Sequence, residues 1–216
     1  MGESIAVALL TCVDTGQPSR FAYTERTIAT FLHHNPSPNR FILVHGDDAS
    51  SDVRVPVLAH ACGFKTIYQS GRRAGWREAR ASLIRKAAPL APWTLLLEND
   101  IETLRPFPWA LFDFVAPFQK VDCLRLYGRF KSAKDTYPCL TVHKKTGQAV
   151  RWKPVKGAPE PAESAMIHWS AQPCVTRSDV VLRHHKDGTE PSGRTVRVTE
   201  NVTSHIGVKR TRSWTK

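Results

Sequence analysis

Three polar residues, Glu98-Asn99-Asp100, follow the apolar run Trp93-Thr94-Leu95-Leu96-Leu97 and precede an exit stopped by Pro106. Two carboxylates this close can hold a hard divalent cation, which in turn holds phosphate oxygens. The same acids can equally be a solvated strand end. Position is compatible with the first chemistry and does not exclude the second. Leu95 to Leu97 lacks polar alternation, as expected of a strand buried on both faces of a parallel sheet. In open α/β sheets the carboxyl ends of the strands are where ligands bind.

The elements that must place these acids follow in chain order. Ile5 to Thr11 is a first buried strand, and a polar loop follows it from Cys12 to Arg20. Thr24 is placed to cap a helix over Glu25 to His33, closed by Asn35-Pro36-Ser37-Pro38-Asn39. Phe41 to Val44 is a second strand, opening into His45-Gly46-Asp47-Asp48-Ala49-Ser50-Ser51-Asp52, and Ser51 or Asp52 starts a helix that Gly63 stops. Lys65 to Gln69 is a third strand, Gly75 to Ala88 a helix and Trp93 to Leu97 a fourth strand. Alternating strands and helices of this kind build an open, mostly parallel sheet with right-handed crossovers.

After Pro106 the pattern changes. A short helix is expected over Trp109 to Phe114, a strand over Val121 to Tyr127, and a hairpin from Pro138 to Trp152 around Lys145-Thr146-Gly147-Gln148. Residues 153–164 and 186–194 read as loops, Ala165 to His168 and Pro173 to Val175 as strand-like, and Asp179 to His184 as helical. The chain is expected to form a single domain with two halves, 1–118 and 119–216, the second a smaller, mixed region.

Composition narrows the class. With 41% hydrophobic and 23% charged residues, the 216-residue chain is an ordinary globular protein. Ile5 to Thr11 is too short to span a bilayer and follows Glu3 rather than a basic region, so neither a leader nor a membrane helix is expected. Five scattered cysteines without Cys-x-x-Cys spacing argue against a disulfide framework or zinc site, and for a reducing, cytoplasmic setting, a host's if the protein is viral. The net charge of +12 is unevenly placed. Residues 1–118 carry 12 basic and 11 acidic side chains, whereas 119–216 carry 19 and 8. A field localised in one half attracts polyanions, although solubility alone also explains basic charge.

Taken together, residues 5–106 resemble the nucleotide-sugar-binding half of the GT-A fold glycosyltransferases, especially the family 2 type. Four stretches carry the resemblance: Leu9-Leu10-Thr11, Val44 to Asp52, Gly71 to Arg80, and Leu95 to Asp100 at the place of the acidic DXD motif. The implied fold is α/β, a Rossmann-like sheet flanked by helices. The resemblance implies a nucleotide-diphosphate sugar as donor and Mn²⁺ or Mg²⁺ as cofactor. Thr11 would begin the donor contacts, and Asp47 or Asp48 would bond the base or ribose, the alternative being an Asx-turn acid. Arg80, with Arg72 and Arg73 before it, would face the base or diphosphate, or else be a solvated helix face. Asp100 matches the metal-binding Asp and Glu98 the acid near the ribose, although the motif departs from the common form in beginning with Glu and carrying Asn99. Val202 to Gly207 resembles a late His-Ile/Val-Gly segment, which makes His205 a second metal ligand or a plain strand-end histidine.

An inverting transfer also needs a carboxylate to deprotonate the acceptor hydroxyl. Asp179, Asp187 and Glu190 are the candidates, each of them equally readable as a surface acid. Lys131, Lys134, Lys144, Lys145, Arg151, Lys153, Lys209 and Arg210, interleaved with aromatic residues, are what a nucleic-acid surface needs. The acceptor expected from this charge is DNA carrying hydroxymethylated pyrimidines, as in DNA viruses that glycosylate their own genomes. Two alternatives stand beside it: a transferase building polysaccharide at a membrane face, and a non-catalytic nucleic-acid-binding protein on a degenerate transferase fold. The sequence leaves the oligomeric state open.

Overall fold

A computed structural model describes residues 2–36, 39–118, 120–126, 152–168, 173–186 and 192–206. In chain order the elements are β1 (Ile5–Thr11), α1 (Pro18–His34), β2 (Phe41–Asp47), α2 (Arg54–Ala61), β3 (Lys65–Gln69) and α3 (Trp76–Ala87). A short 3₁₀ turn (Ala88–Leu90) leads to β4 (Trp93–Glu98), β5 (Ile101–Thr103), α4 (Trp109–Val115) and β6 (Cys123–Arg125). The chain closes with β7 (Lys153–Pro154), β8 (Ala162–His168), β9 (Cys174–Arg177), α5 (Ser178–Lys186), β10 (Ser192–Val198) and β11 (Thr203–His205).

Among the described residues, nine strands form one sheet in the order β3-β2-β1-β4-β9-β6-β10-β8-β7. The first four are parallel to one another, and β1 and β4 in the middle carry the apolar runs expected of strands covered on both faces. Every residue of β1 is buried, since it lies mid-sheet with helices on both faces. Leu95 and Leu97 join a core with Ile28 and Phe31 of α1 and Leu111 and Phe112 of α4, whereas Leu96 faces Ala79 and Leu83 of α3. β9 enters antiparallel beside β4, so strands from both parts of the chain share the sheet. β5 and β11 pair separately as a short antiparallel ribbon.

Several expected boundaries shift. α1 starts at Pro18, not after Thr24, because proline presets the first helical turn and lacks an N–H that would go unbonded there. Thr24 is buried inside the helix, its hydroxyl donating to the Arg20 carbonyl at 3.0 Å. The expected loop at 153–164 contains β7 and the start of β8, and the one at 186–194 contains the start of β10, both stabilised by pairing across the sheet. Most of the expected hairpin from 138 to 152 lies outside the described residues. No helix among the described residues is long and apolar enough to cross a membrane.

Candidate active site

The register of the parallel strands brings the candidate residues together at one edge. Thr11 pairs with Asp47, and Leu10 pairs with Glu98, so the carboxyl ends of β1, β2 and β4 lie side by side. The loop after β3 is drawn to the same edge by Asp48. Its two carboxylate oxygens accept the backbone N–H groups of Ala74 at 2.8 Å and Gly75 at 3.1 Å. Gly75 has φ +87° and ψ 153°, backbone geometry open mainly to glycine, and from it α3 departs. Gly46 is equally constrained, since a Cβ there would come 2.9 Å from Leu83 Cδ1 of α3. The Arg72–Arg73 loop is therefore fixed beside the strand ends, with Arg73 paired to Asp14 and Arg72 exposed.

Asp47 is turned inward. It accepts the Thr11 hydroxyl at 2.8 Å, the Ser50 N–H at 2.9 Å and the Ser50 hydroxyl, the Asx-turn arrangement. Behind it stands His45, fully buried and without an assigned role in the sequence. The Thr11 hydroxyl donates to Asp47, so it accepts from His45 Nε2–H at 2.8 Å, and His45 Nδ1 accepts the Thr66 hydroxyl at 3.2 Å. A continuous chain, Thr66 to His45 to Thr11 to Asp47, thus rigidifies this edge of the sheet. Burial pushes the His45 pKa down to about 4, with the Asp47 charge opposing, so the ring is neutral at pH 7.

This carries a pH signature. The unfolded chain takes up the proton near pH 6.5, whereas the folded one resists until about 4. Stability is then complete above pH 6.5 and falls as pH drops from 6.5 towards 4, by at most about 3 kcal/mol. Urea unfolding across that window should show the slope in the wild type and a flatter profile in His45→Gln.

Glu98, Asn99 and Asp100 are half-buried at the end of β4. Asn99 donates to the Thr24 hydroxyl at 3.3 Å and so ties the turn to α1. The Asp100 carbonyl accepts the Ile206 N–H at 2.9 Å, and His205 stands opposite Ile101 in the β11–β5 register. A strand from the end of the chain is thereby laid immediately past Asp100. Among the described residues no three His, Cys, Asp or Glu side chains cluster as metal ligands. A divalent cation that binds phosphates needs only one or two protein carboxylates, so a strand end bearing Glu98 and Asp100 fits such an ion.

No protein-family model matches the chain, and no curated protein matches it in sequence. Solved structures do. S. aureus TarS superposes with a TM-score of 0.59 at 11% identity, over 95% of this chain and 37% of that one. The mannosyltransferase PcManGT from Pyrobaculum calidifontis, in complex with GDP-Man and Mn²⁺, gives 0.58 at 14%, over 97% and 59%. GalNAc-T7, with UDP, GalNAc and Mn²⁺, gives 0.56 at 11%, over 97% and 45%. These neighbours are GT-A glycosyltransferases. The fold is GT-A. The chain spans between 37% and 59% of the length of these three structures.

Within the GT-A frame the other candidates fall as follows. Arg80 lies one turn into α3, its guanidinium carbon 5.0 Å from the Trp76 ring centre. The buried Cys174 thiol on β9 is held below its usual pKa, chiefly by a hydrogen bond with Cys123, then by the charges of Arg125 and Arg80. Asp179 is not brought to the site. It begins α5 beside the start of β4, where Arg177 pairs with Trp93, a full strand length (about 17 Å at 3.3 Å per residue) from Asp100. There it forms exposed ion pairs with Arg177 and Arg183, and it is set aside as a base. Lys153 lies exposed on β7 at the far edge of the sheet. Asp187, Glu190, Lys131, Lys134, Lys144, Lys145, Arg151, Lys209 and Arg210 lie outside the described residues.

One charged row has no signal in the sequence. Arg125 of β6 pairs in register with Arg197 of β10, which stands opposite Glu163 of β8. Arg197 donates to Glu163 at 2.6 and 2.9 Å and lies 3.9 Å from the Trp152 ring centre. The row aligns only once three strands distant in sequence are side by side.

Proposed function

We propose that this chain is a metal-dependent glycosyltransferase that moves a sugar from a nucleotide-diphosphate donor to a hydroxyl acceptor, and that the acceptor is a hydroxymethylated pyrimidine in DNA. The observation that carries the transferase assignment is the convergence at one sheet edge of the Asp48-anchored arginine loop, Glu98, Asp100 and the β11 strand. Asp47 and Asp48 act as anchors, fixing Thr11 and the Arg72–Arg73 loop as walls of the donor pocket. Arg72 and Arg80 supply positive charge towards the diphosphate, where charge develops as the leaving group departs. Glu98 bonds the donor ribose. Asp100, with His205 next to it in register, holds Mn²⁺ or Mg²⁺, which when bound offsets the charge of the departing diphosphate. The acceptor proton goes to Asp187 or Glu190.

The DNA acceptor rests on charge placement, since a donor-binding half with 12 basic and 11 acidic residues leaves the excess to residues 119–216. Lys131, Lys134, Lys144, Lys145, Arg151, Lys153, Lys209 and Arg210 are its proposed phosphate contacts. Incubation of the protein, Mn²⁺ and UDP- or GDP-sugars with DNA containing 5-hydroxymethylcytosine or 5-hydroxymethyluracil, followed by mass spectrometry of the nucleosides, tests this. A sugar-bearing nucleoside is expected. Donor hydrolysis without any modified nucleoside would remove DNA as the acceptor and leave the transferase.

A further inference from the structure

Four aspartates stand at or just past the ends of β1 and β2, and three of them are committed to the protein itself. Asp47 accepts two hydroxyls and a backbone N–H, and Asp48 accepts two backbone N–H groups. Asp52 takes the Arg54 guanidinium on both oxygens, at 2.9 and 2.6 Å. All three are buried. Asp14 differs. It lies three residues past Thr11, its side chain 32% exposed, and pairs with Arg73 of the loop after β3, itself 49% exposed. Its two side-chain bonds among the described residues come from Arg73 and from the Ser51 hydroxyl, the latter at 3.4 Å. Both fall on Oδ1, which leaves Oδ2 for another donor.

The backbone on either side of this pair is pinned. The Val13 N–H donates to the Ser50 hydroxyl at 2.9 Å, the Thr15 N–H to the Ser51 hydroxyl at 3.1 Å, and the Asp14 carbonyl accepts the Gln17 N–H at 2.8 Å. Arg73 is followed directly by the Ala74 and Gly75 amides that Asp48 holds. An exposed ion pair adds little to stability, so the fold itself has small need of this one. A carboxylate oxygen beside a guanidinium with donors to spare complements an N–H next to a carbonyl. Uracil offers that pair at N3–H and O4, and guanine at N1–H and O6. Adenine and cytosine put a bare ring nitrogen where the N–H would be, and a site built to receive a proton rejects a group that lacks it. We infer that Asp14, with Arg73 beside it, selects the base of the donor nucleotide and takes uracil or guanine over adenine or cytosine. The inference rests on the transferase reading, in which the ribose and metal contacts are Glu98 and Asp100 at the end of β4, and it adds the base contact that reading leaves open.

Isothermal titration of the protein with Mn²⁺ and UDP, GDP, CDP or ADP tests it, together with UDP methylated at N3 and GDP methylated at N1. UDP or GDP should bind at least roughly tenfold tighter than CDP and ADP. Methylation should weaken that binding by about 10- to 100-fold, the effect of one hydrogen bond to a charged group. Asp14→Ala should lose a similar factor with the unmethylated nucleotide and little with the methylated one, so that the discrimination between them collapses. Urea midpoints of Asp14→Ala and wild type should lie close together. CDP or ADP binding as tightly as UDP and GDP would overturn the inference. So would an Asp14→Ala variant that weakens for every nucleotide alike, since Asp14 would then only hold the loop. If no nucleoside diphosphate binds the wild-type protein, the transferase reading itself fails. Wild-type binding with a discrimination that survives in Asp14→Ala removes only this inference.

Discussion

Asp100→Ala is expected to lower metal-dependent turnover of the nucleotide sugar by about 10²–10³-fold while leaving the fold intact. The magnitude is that of removing one preorganised electrostatic group from a charge-developing centre. The specificity comes from the geometry. The Asp100 carbonyl accepts the Ile206 N–H at 2.9 Å, and alanine keeps that carbonyl. The β5–β11 ribbon should therefore survive, and urea midpoints of variant and wild type should lie close together. Asp100→Asn keeps the shape and loses the charge, so steady-state kinetics should place it near the alanine variant. A variant that unfolds, or one that turns over like the wild type, would each contradict the role.

The second large effect is at Asp48, and there the expected order is reversed, with stability affected first. Both carboxylate oxygens accept backbone N–H groups, at 2.8 and 3.1 Å, and the side chain is buried. Hydrogen bonds to a charged partner contribute roughly 1.5–3 kcal/mol each. Gly75 is exposed and Ala74 half-buried, so water recovers part of the loss on removal. Asp48→Ala should thus destabilise by about 2–3 kcal/mol in urea unfolding. Asp48→Asn should fare little better, because its NH₂ would face an N–H donor. Both should also weaken nucleoside diphosphate binding, since the loop bearing Arg72 and Arg73 loses its anchor. Thermal denaturation with and without nucleotide separates the two consequences.

How far the sequence anticipated this varies along the chain. The strands over Ile5 to Thr11, Phe41 to Val44 and Trp93 to Leu97 are legible because parallel strands covered on both faces carry apolar runs, and the structure extends the second to Asp47 and the fourth to Glu98. The start of α1 was misplaced because Thr24 looks like a cap, whereas Pro18 sets the first turn. Asp47 and Asp48 were visible as a pair, but not their partners, which lie 36 and 26–27 residues away. His45 was missed for the same reason, its two threonines being 34 and 21 residues distant. Asp179 reads as a candidate base from its place at the start of a helix, which does not say which end of the sheet it occupies. That depends on β9 running antiparallel to β4.

The central claim, that the edge bearing Asp48, Glu98 and Asp100 is a metal-assisted nucleotide-sugar site, is tested most directly by measuring release of nucleoside diphosphate. UDP- and GDP-sugars are offered to the wild-type protein with Mn²⁺ and with chelator. At least one donor should be hydrolysed, only with the metal, and the release should disappear in Asp100→Ala. Release that persists under chelation, or no release and no binding of any donor with Mn²⁺ present, would contradict it.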